Sequence, residues 1–256
     1  MTVAVQAPIT QAMVLGAGLG SRMGPLTQKR PKPLVEIAGK ALIDHVLDRL
    51  VAAGVSRAVV NVHYLADMMD AHLAGRVVPE IIVSDERAVR LETGGGVRKA
   101  IVHFSGTPFF IHNSDAIWRE DDFADPSGAL GGLSNFFDAS RMDTAFLLAP
   151  VARTLGYDGK GDFDLSEDGH VTRGGYGGAA YVFAGASIAH PRLFDGTAVE
   201  AFSLNRVWDK AIAAGRAYGV VLDGLWMHVG TPEAVVAAEQ ALAAGGGRDA
   251  TRASNV

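Results

Sequence analysis

The stretch QAMVLGAGLGSRMG, residues 11–24, joins a short apolar run to a turn rich in glycine. An apolar run of this length that ends in glycine is typical of a buried strand in a parallel sheet. Bare glycines after such a strand let backbone N–H groups come close to anionic oxygens. The stretch therefore predicts a strand that leads into a phosphate-binding loop.

Strands and helices alternate along the first half of the chain. Residues 40–54, KALIDHVLDRLVAAG, place apolar side chains at helical spacing and end in a glycine. The strand patterns SRAVVNV, PEIIVSDE and TPFFIHNSD are separated by the helix patterns YLADMMDAHLAG and GGGVRKAIVHF. Repeated strand–helix–strand units predict a mostly parallel sheet with helices on both faces. After Asp115 the strands follow one another with few helices between them, and we expect antiparallel strands at the sheet's edge.

Length and composition limit the number of domains, the kinds of partner and the cellular compartment. A chain of 256 residues without a linker-like break predicts one α/β domain over residues 11–244, between a flexible N-terminus, 1–10, and a flexible tail, 245–256. The net charge is −5 and no block of lysine and arginine occurs, which argues against nucleic acid as a partner. The absence of cysteine excludes disulfides and thiolate catalysis. Neither a signal peptide nor a membrane-spanning stretch is recognisable, so we expect a cytoplasmic protein with no membrane partner.

The ligand of the glycine-rich loop can be narrowed by what the loop contains. In a sheet of this kind, ligands bind at the carboxyl ends of the strands, where this loop begins. The dinucleotide pattern G-x-G-x-x-G is incomplete because Ser21 holds the third glycine position, and the Gly-Lys-Ser/Thr of a P-loop is absent. A plain turn stays open as an alternative. Two cations favour phosphate, since Arg22 offers a planar fork to oxygens and Lys32, between two prolines, is a rigidly held point charge.

Residues 16–50, GAGLGSRMGPLTQKRPKPLVEIAGKALIDHVLDRL, resemble the signature loop of the sugar-1-phosphate nucleotidyltransferases. Further motifs follow in the order of that family across nearly the whole chain: LETGGGVRKA, FIHNSDAIW, GKGDF, FAGASIAHPRLF and WMHVGTPE. The resemblance implies the α/β nucleotide-diphospho-sugar transferase fold, a Rossmann-like three-layer α/β/α structure with a mixed, mostly parallel central sheet. LETGGG, GKGDF and the short C-terminus are most similar to the N-acetylmuramate α-1-phosphate uridylyltransferases of peptidoglycan recycling. Mannose-1-phosphate guanylyltransferases and glucose-1-phosphate thymidylyltransferases are the alternatives.

The resemblance implies transfer of a nucleotidyl group from a nucleoside triphosphate to a sugar 1-phosphate, with release of pyrophosphate. The attacking phosphate is already anionic at neutral pH, so catalysis needs positioning and charge stabilisation rather than a general base. By this resemblance Arg22 would hold the leaving β- and γ-phosphates, and Lys32 would bridge the α-phosphate and the incoming phosphate. Asp115 would bind Mg²⁺, a hard cation that prefers oxygen ligands.

The same resemblance implies the binding residues. Nucleotide contacts are expected from Gly16, Ala17, Gly18, Gly20, Ser21, Arg22 and Lys32 in the loop, and from Thr93, Gly94 and Gly95 beside the base. Contacts to the sugar phosphate are expected from Asn113, Gly161, Asp162 and Gly185, the last of which would leave room for the sugar ring. The expected partners are thus a nucleoside triphosphate, with UTP favoured, and a sugar 1-phosphate. The protein is expected to be a monomer or a small homo-oligomer.

One position departs from the family pattern. Relatives commonly have Trp-x-Asp-x-Gly-Thr, with the aspartate as second metal ligand, whereas this chain has WMHVGT with His228 in its place. Imidazole suits Mg²⁺ poorly and Mn²⁺ better. Either Asp115, phosphates and water hold the metal alone, or the preferred metal differs, or His228 is a packed histidine without a metal role. The departure also leaves open a different class, a nucleotide-sensing regulatory subunit, against which the joint presence of Arg22, Lys32 and Asp115 argues.

Overall fold

The computed structural model describes residues 8–120 and 127–246, which form an α/β structure. Its helices are α1 (Leu42–Ala52), α2 (Ala66–Leu73), α3 (Glu92–Ala100), α4 (Gly128–Phe136), α5 (Asn205–Ala213) and α6 (Pro232–Gly246). Its strands are β1 (Gln11–Leu15), β2 (Glu36–Ile37), β3 (Lys40–Ala41), β4 (Arg57–Val62), β5 (Glu80–Asp85), β6 (Phe109–Asn113), β7 (Ala116–Glu120), β8 (Thr144–Pro150), β9 (Thr154–Leu155), β10 (Phe163–Leu165), β11 (Val171–Arg173), β12 (Tyr181–Ala189), β13 (Ala217–Val221) and β14 (Gly224–His228).

The ends of the chain lie mostly outside the described residues. Residues 1–7 and 247–256, which hold most of the predicted flexible termini, are among those not described. Helix α6 continues through Gly246, two residues past the predicted end of the domain, because its alanine-rich sequence favours helix. The division into one domain over residues 11–244 stays a prediction. Among the described residues, no helix is both long enough and apolar enough to cross a membrane.

The central sheet is mixed and mostly parallel, as predicted. Its main path runs β5-β4-β1-β6-β12-β8-β13, and β10 and β11 continue from the start of β12. Strand β1 pairs in parallel with β4 and β6, β4 with β5, and β8 with β13. Only β12 runs against its neighbours on this path, since it is antiparallel to both β6 and β8.

Strand β12 corrects the expectation that antiparallel strands lie at the edge of the sheet. Strand β12 lies in the middle of the sheet, between β6 and β8. The short antiparallel strands β10 and β11 continue from its first residue and lie at an edge. Its sequence, YVFAGASIA, is buried over most of its length. Its side chains contribute to the apolar cores on both faces of the sheet. A nine-residue apolar strand of this kind is stable where both faces and both edges are covered.

Helices cover both faces of the sheet, as predicted. In β1, Ala12 and Val14 belong to the core that packs under α1, α2 and α4, whereas Met13 belongs to the core under α3 and α5. Helix α4 was not predicted, because GALGGLSNF contains three poor helix formers. Burial of Leu130 and Leu133 against the sheet stabilises it nevertheless.

A smaller sheet lies beside the carboxyl ends of the central strands. Its order is β7-β14-β9, and helix α6 packs on it. Met23 from the glycine-rich loop, Ile117, Met227 and Val235 share this third core. Because β7 follows directly after the turn that carries Asp115, this small sheet holds that turn in position.

Candidate active site

The glycine-rich loop opens onto a cavity of about 430 Å³ at the carboxyl ends of β1, β4 and β6. The cavity is lined by Leu15, Ala17, Gly18, Lys32, Pro33, Asn61, Arg90, Glu92, Thr93, Asn113, Ser114, Asp115 and Ser203. Six of the predicted site residues are in this set: Ala17, Gly18, Lys32, Thr93, Asn113 and Asp115. This is the place where ligands bind in open α/β sheets.

Lys32 and Asp115 form an ion pair in the cavity. The side chain of Lys32 is 13% exposed and that of Asp115 33% exposed, so the pair is shielded but still accessible. Gly20 makes this arrangement possible, since a Cβ at Gly20 would lie 2.8 Å from Cβ of Lys32. The side chain of Ser114 donates to the carbonyl of Leu15 at 2.7 Å, which ties the turn carrying Asp115 to the end of β1. The Lys32–Asp115 pair thus presents an ammonium group and a carboxylate to a bound ligand.

The glycines of the loop have different structural roles. Gly18 is exposed on the cavity with no atom near the position of a Cβ, so an anionic oxygen can approach its backbone closely. The N–H of Gly16, in contrast, donates to Oδ1 of Asn61 at 2.8 Å and is thus already engaged within the protein, and a nucleotide contact of Gly16 stays a prediction. Gly20 adopts φ 64 and turns the chain into a 3₁₀ helix that begins at Ser21. Ser21 does not line the cavity.

Arg22 is exposed and lies outside the cavity lining. Its side chain makes no hydrogen bond or ion pair with the residues that the structure describes. Its charge is nevertheless near the site, because it contributes to lowering the pKa of His228. Arg22 is therefore positioned so that a ligand could engage it without first breaking a protein contact.

The N–H groups of Gly94 and Gly95 are engaged in packing within the protein, and the contact of these glycines with the base stays a prediction. Both N–H groups donate to the carbonyl of Phe202, at 2.8 and 3.2 Å. A Cβ at Gly95 would lie 2.0 Å from the carbonyl oxygen of Glu200. Thr93 does reach the cavity, but its hydroxyl accepts a hydrogen bond from Leu204 at 2.9 Å. The glycines of LETGGG thus allow residues 200–204 to pack closely on α3.

The residues predicted for the sugar half are only partly brought together. Asn113 lines the cavity, whereas Gly161, Asp162 and Gly185 do not. Asp162 accepts a hydrogen bond from the backbone of Phe183 at 2.9 Å, and a Cβ at Gly161 would lie 2.3 Å from a backbone oxygen, so both shape the start of β12.

Gly185 has φ 90 in the irregular part of β12. A Cβ there would meet Ala116 at 2.4 Å and Asn113 at 3.5 Å. The space that a side chain at position 185 would need is therefore occupied by protein, and the expected room for a sugar ring beside Gly185 stays a prediction. Its contribution to the site is indirect, because it lets β12 approach the residues next to Asp115.

His228 lies beside the ion pair. In the small sheet it stands opposite Ala116, the residue after Asp115. Burial, together with the charges of Lys32 and Arg22, lowers the pKa of His228, so the neutral imidazole is favoured at neutral pH. Its ring packs near Trp226, at 5.7 Å between centroids, and against Gly230. Within residues 8–120 and 127–246, no three His, Asp or Glu side chains come together as a metal site.

Sequence reasoning missed five polar residues of the cavity: Asn61, Arg90, Glu92, Ser114 and Ser203. Asn61 is the next-to-last residue of a predicted strand, and Arg90 and Glu92 lie on either side of Leu91, at the start of LETGGG, so their places beside a strand end and a motif were a usable signal. Glu92 also has φ 59, an uncommon conformation for a residue other than glycine that is often found at functional sites. No local pattern marks Ser203, since in the sequence it lies 88 residues beyond Asp115, the nearest other residue of the cavity.

Comparison with known proteins agrees with this architecture. Residues 11–129 match the nucleotidyl transferase family. The chain is 48% identical to the N-acetylmuramate α-1-phosphate uridylyltransferase of Caulobacter vibrioides, over 91% of this chain and 96% of that protein. It is 33% identical to the protein of the same name from Neisseria meningitidis serogroup B, over 86% of this chain and 93% of that protein. Its fold is similar to that of the inositol-1-phosphate CTP transferase from T. maritima, with a TM-score of 0.71 at 20% identity, over 90% of this chain and 92% of that one.

These likenesses confirm the predicted Rossmann-like α/β fold and extend over nearly the whole chain. They also decide between the two classes that the sequence left open, since the relatives are transferases rather than regulatory subunits. The cavity with its glycine-rich loop, lysine and aspartate is in keeping with that chemistry. The chain therefore belongs to the sugar-1-phosphate nucleotidyltransferase family and is an enzyme of that family.

Proposed function

We propose that the protein transfers the uridylyl group of UTP to N-acetylmuramate α-1-phosphate, with formation of the UDP-sugar and pyrophosphate. The observation that carries this choice of substrates is the 48% identity to the Caulobacter vibrioides uridylyltransferase along 96% of that protein. N-acetylmuramate is a peptidoglycan sugar, so the reaction would serve peptidoglycan recycling. We assign it to the cytoplasm, where nucleoside triphosphates are made.

The chain's own residues account for the reaction by binding and orientation. An oxygen of the sugar phosphate attacks the α-phosphorus, the bond to the β-phosphate oxygen breaks, and pyrophosphate leaves with the electron pair. Lys32 lies in the cavity and would neutralise both the attacking phosphate and the α-phosphate as charge develops. The exposed backbone at Gly18 would contact the triphosphate, and Arg22 would hold its leaving end. Asn113 would contact the sugar phosphate.

A divalent metal is part of this proposal, with Mg²⁺ preferred and Mn²⁺ as the alternative. Asp115 gives one carboxylate oxygen to Lys32, and its other oxygen has no hydrogen bond within the described residues, so it fits as a ligand for a hard cation. His228, neutral and on the neighbouring strand, offers one nitrogen. The remaining ligands would be phosphate oxygens and water. The bound metal would supply charge neutralisation on the phosphates.

The test is pyrophosphate release from a matrix of substrates. Four ribonucleoside triphosphates are combined with N-acetylmuramate α-1-phosphate, mannose 1-phosphate and glucose 1-phosphate in the presence of Mg²⁺. UTP with N-acetylmuramate α-1-phosphate should give the highest kcat/KM. Faster turnover of GTP with mannose 1-phosphate, or of any other pair, would overturn the substrate assignment.

A further inference from the structure

A buried chain of hydrogen bonds joins the phosphate loop to the segment that opens α3. The N–H of Gly16 donates to Oδ1 of Asn61 at 2.8 Å. Nδ2 of Asn61 donates to Oε1 of Glu86 at 2.8 Å, and the N–H of Leu91 donates to Oε2 of Glu86 at 3.0 Å. Asn61 and Glu86 are each only 2% exposed. Three separate segments of the chain are therefore connected through two side chains.

The order of donors and acceptors in this chain allows only one kind of group at position 86. Both ends of this hydrogen-bond network are backbone N–H donors, at Gly16 and Leu91. An amide at position 61 accepts on one side and donates on the other, so Glu86 has to accept at both of its oxygens. A carboxylate does this, whereas a carboxamide would set one donor against another. The required group is thus a buried carboxyl group that accepts a hydrogen bond at each of its two oxygens.

Burial of Glu86 is energetically unfavourable. Its carboxylate forms no ion pair with a cationic side chain within the parts of the chain that the structure describes, and its hydrogen bonds come from neutral groups. Burial of a carboxylate that lacks a cationic partner costs free energy. A Cβ at Gly96 would lie 2.7 Å from Asn61 and 2.8 Å from Glu86, so α3 also comes very close to the pair. The unfavourable free energy of burying Glu86, together with the close approach of Gly96, indicates that the pair has a role beyond filling the core.

The two ends of this hydrogen-bond network, Gly16 and Leu91, each lie next in sequence to residues that line the cavity. Gly16 begins the loop that contains Ala17 and Gly18, and Leu91 directly precedes Glu92, which has the strained φ of 59. The carbonyl of Leu91 accepts a hydrogen bond from Phe202 at 3.2 Å, so the 200–204 segment is held through the same point. Asn61 itself lines the cavity.

We propose that Asn61 and Glu86 are positioning residues that hold the phosphate loop and the 91–93 segment at the spacing a nucleoside triphosphate requires. The proposal rests on the proposed function only in that this cavity is the nucleotide site. It predicts that disturbing the pair weakens nucleotide binding selectively. Binding of the sugar phosphate, through residues on other segments, changes little.

Exchange of the two side-chain chemistries tests the proposal. Glu86→Gln leaves two donors facing each other, and Asn61→Asp sets two carboxylates against each other. The double variant restores every contact, because Asp at 61 accepts from Gly16 and from Gln at 86, which in turn accepts from Leu91. All three variants keep the shape of the side chains, and the double variant keeps the charge. Glu80→Gln, on the exposed edge strand β5, is the matched control.

The readouts are the Kd of the nucleoside triphosphate that the wild type binds most tightly, measured by calorimetry, and the two KM values. Each single variant should weaken nucleotide binding by about tenfold or more, the effect of one mismatched buried hydrogen bond. The double variant should return to within about threefold of the wild type. KM for the sugar phosphate should change by less than about twofold throughout, and Glu80→Gln should change neither value.

The proposal is overturned if the single variants bind nucleotide like the wild type, or if the double variant is as weak as the worse single variant. Urea unfolding is measured on the wild type and on all four variants. If a single variant does not fold, a double variant that folds and binds nucleotide supports the pairing, and one that also fails to fold overturns it. Because wild-type binding is measured first with each nucleotide, failure of the UTP assignment is seen in the wild type and is distinct from failure of the pair.

Discussion

Lys32 holds the positive charge on which the proposed transfer most depends. It lies within the cavity, and in the absence of substrate its ammonium is paired with Asp115. Replacement of Lys32 by alanine should lower kcat by on the order of 10²-fold or more, as for loss of a charge that stabilises a transition state. Lys29→Ala, which removes an exposed lysine from the same loop, is the control. A Lys32→Ala enzyme with nearly wild-type kcat would refute this role.

The metal site depends on Asp115 and, in a different way, on His228. Asp115→Asn should nearly abolish turnover at every Mg²⁺ concentration, because it removes the negative charge that the proposed ligand supplies. His228→Asp should lower the Mg²⁺ concentration needed for half activity and reduce any preference for Mn²⁺, since a carboxylate is the harder ligand. The measurement is activity against metal concentration for the wild type, His228→Asp and His228→Ala. Three coincident curves would exclude His228 from the metal site.

At the scale of elements, the site depends on how residues 200–204 pack on the first turn of α3. Gly95→Ala would bring a Cβ to 2.0 Å from the carbonyl oxygen of Glu200, so the backbone has to move. We expect the free energy of unfolding to fall by roughly 1–3 kcal/mol and KM for nucleotide to rise, because Thr93 and Ser203 would shift at the cavity. Urea unfolding and steady-state kinetics measure both effects.

Helix α4 provides the matched control for that substitution. Gly132 is also a glycine within a helix, but no atom lies within 4 Å of the position of its Cβ. Gly132→Ala should therefore leave KM unchanged and should raise stability slightly, since alanine favours helix. Equal effects of the two substitutions would show that helical propensity, and not the contact with residues 200–204, is what Gly95 provides.

At the scale of the whole molecule, a buried histidine should make stability depend on pH. His112 on β6 is fully buried and stacks on Trp118 at 5.4 Å, and burial lowers its pKa to about 4. Arg49 from α1 lowers the pKa further, and Asp115 opposes this weakly. The unfolded chain, with a His pKa near 6.5, binds the proton first as the pH falls. Stability should therefore decline between pH 6.5 and about pH 4.

The variant His112→Phe lacks this titration and isolates its contribution. The stability of the wild type relative to the variant should fall by about 2 kcal/mol between pH 7 and pH 5. Urea unfolding of both proteins at several pH values gives the difference directly, and other titrating groups cancel. A difference that stays constant with pH would contradict the assignment.

Local sequence patterns were sufficient to predict much of the fold. The strands that precede Gly18 and Asp115, and the proline-flanked position of Lys32, were recognisable because apolar runs, glycine and proline act on the backbone within a few residues. The parallel order of these strands followed from the strand–helix repeats. Antiparallel β12 was misplaced because a strand's neighbours are chosen by burial of both faces, which depends on the other strands and helices and not on its own sequence.

The sequence by itself determined the α/β class, the glycine-rich loop at the end of the first strand, and the family. These rest on short-range stereochemistry and on motifs that can be read residue by residue. Only the tertiary structure decided what each polar group contacts. It directed the N–H groups of Gly94 and Gly95 to Phe202 and that of Gly16 to Asn61, because a buried donor takes the nearest acceptor that folding brings to it, however distant along the chain.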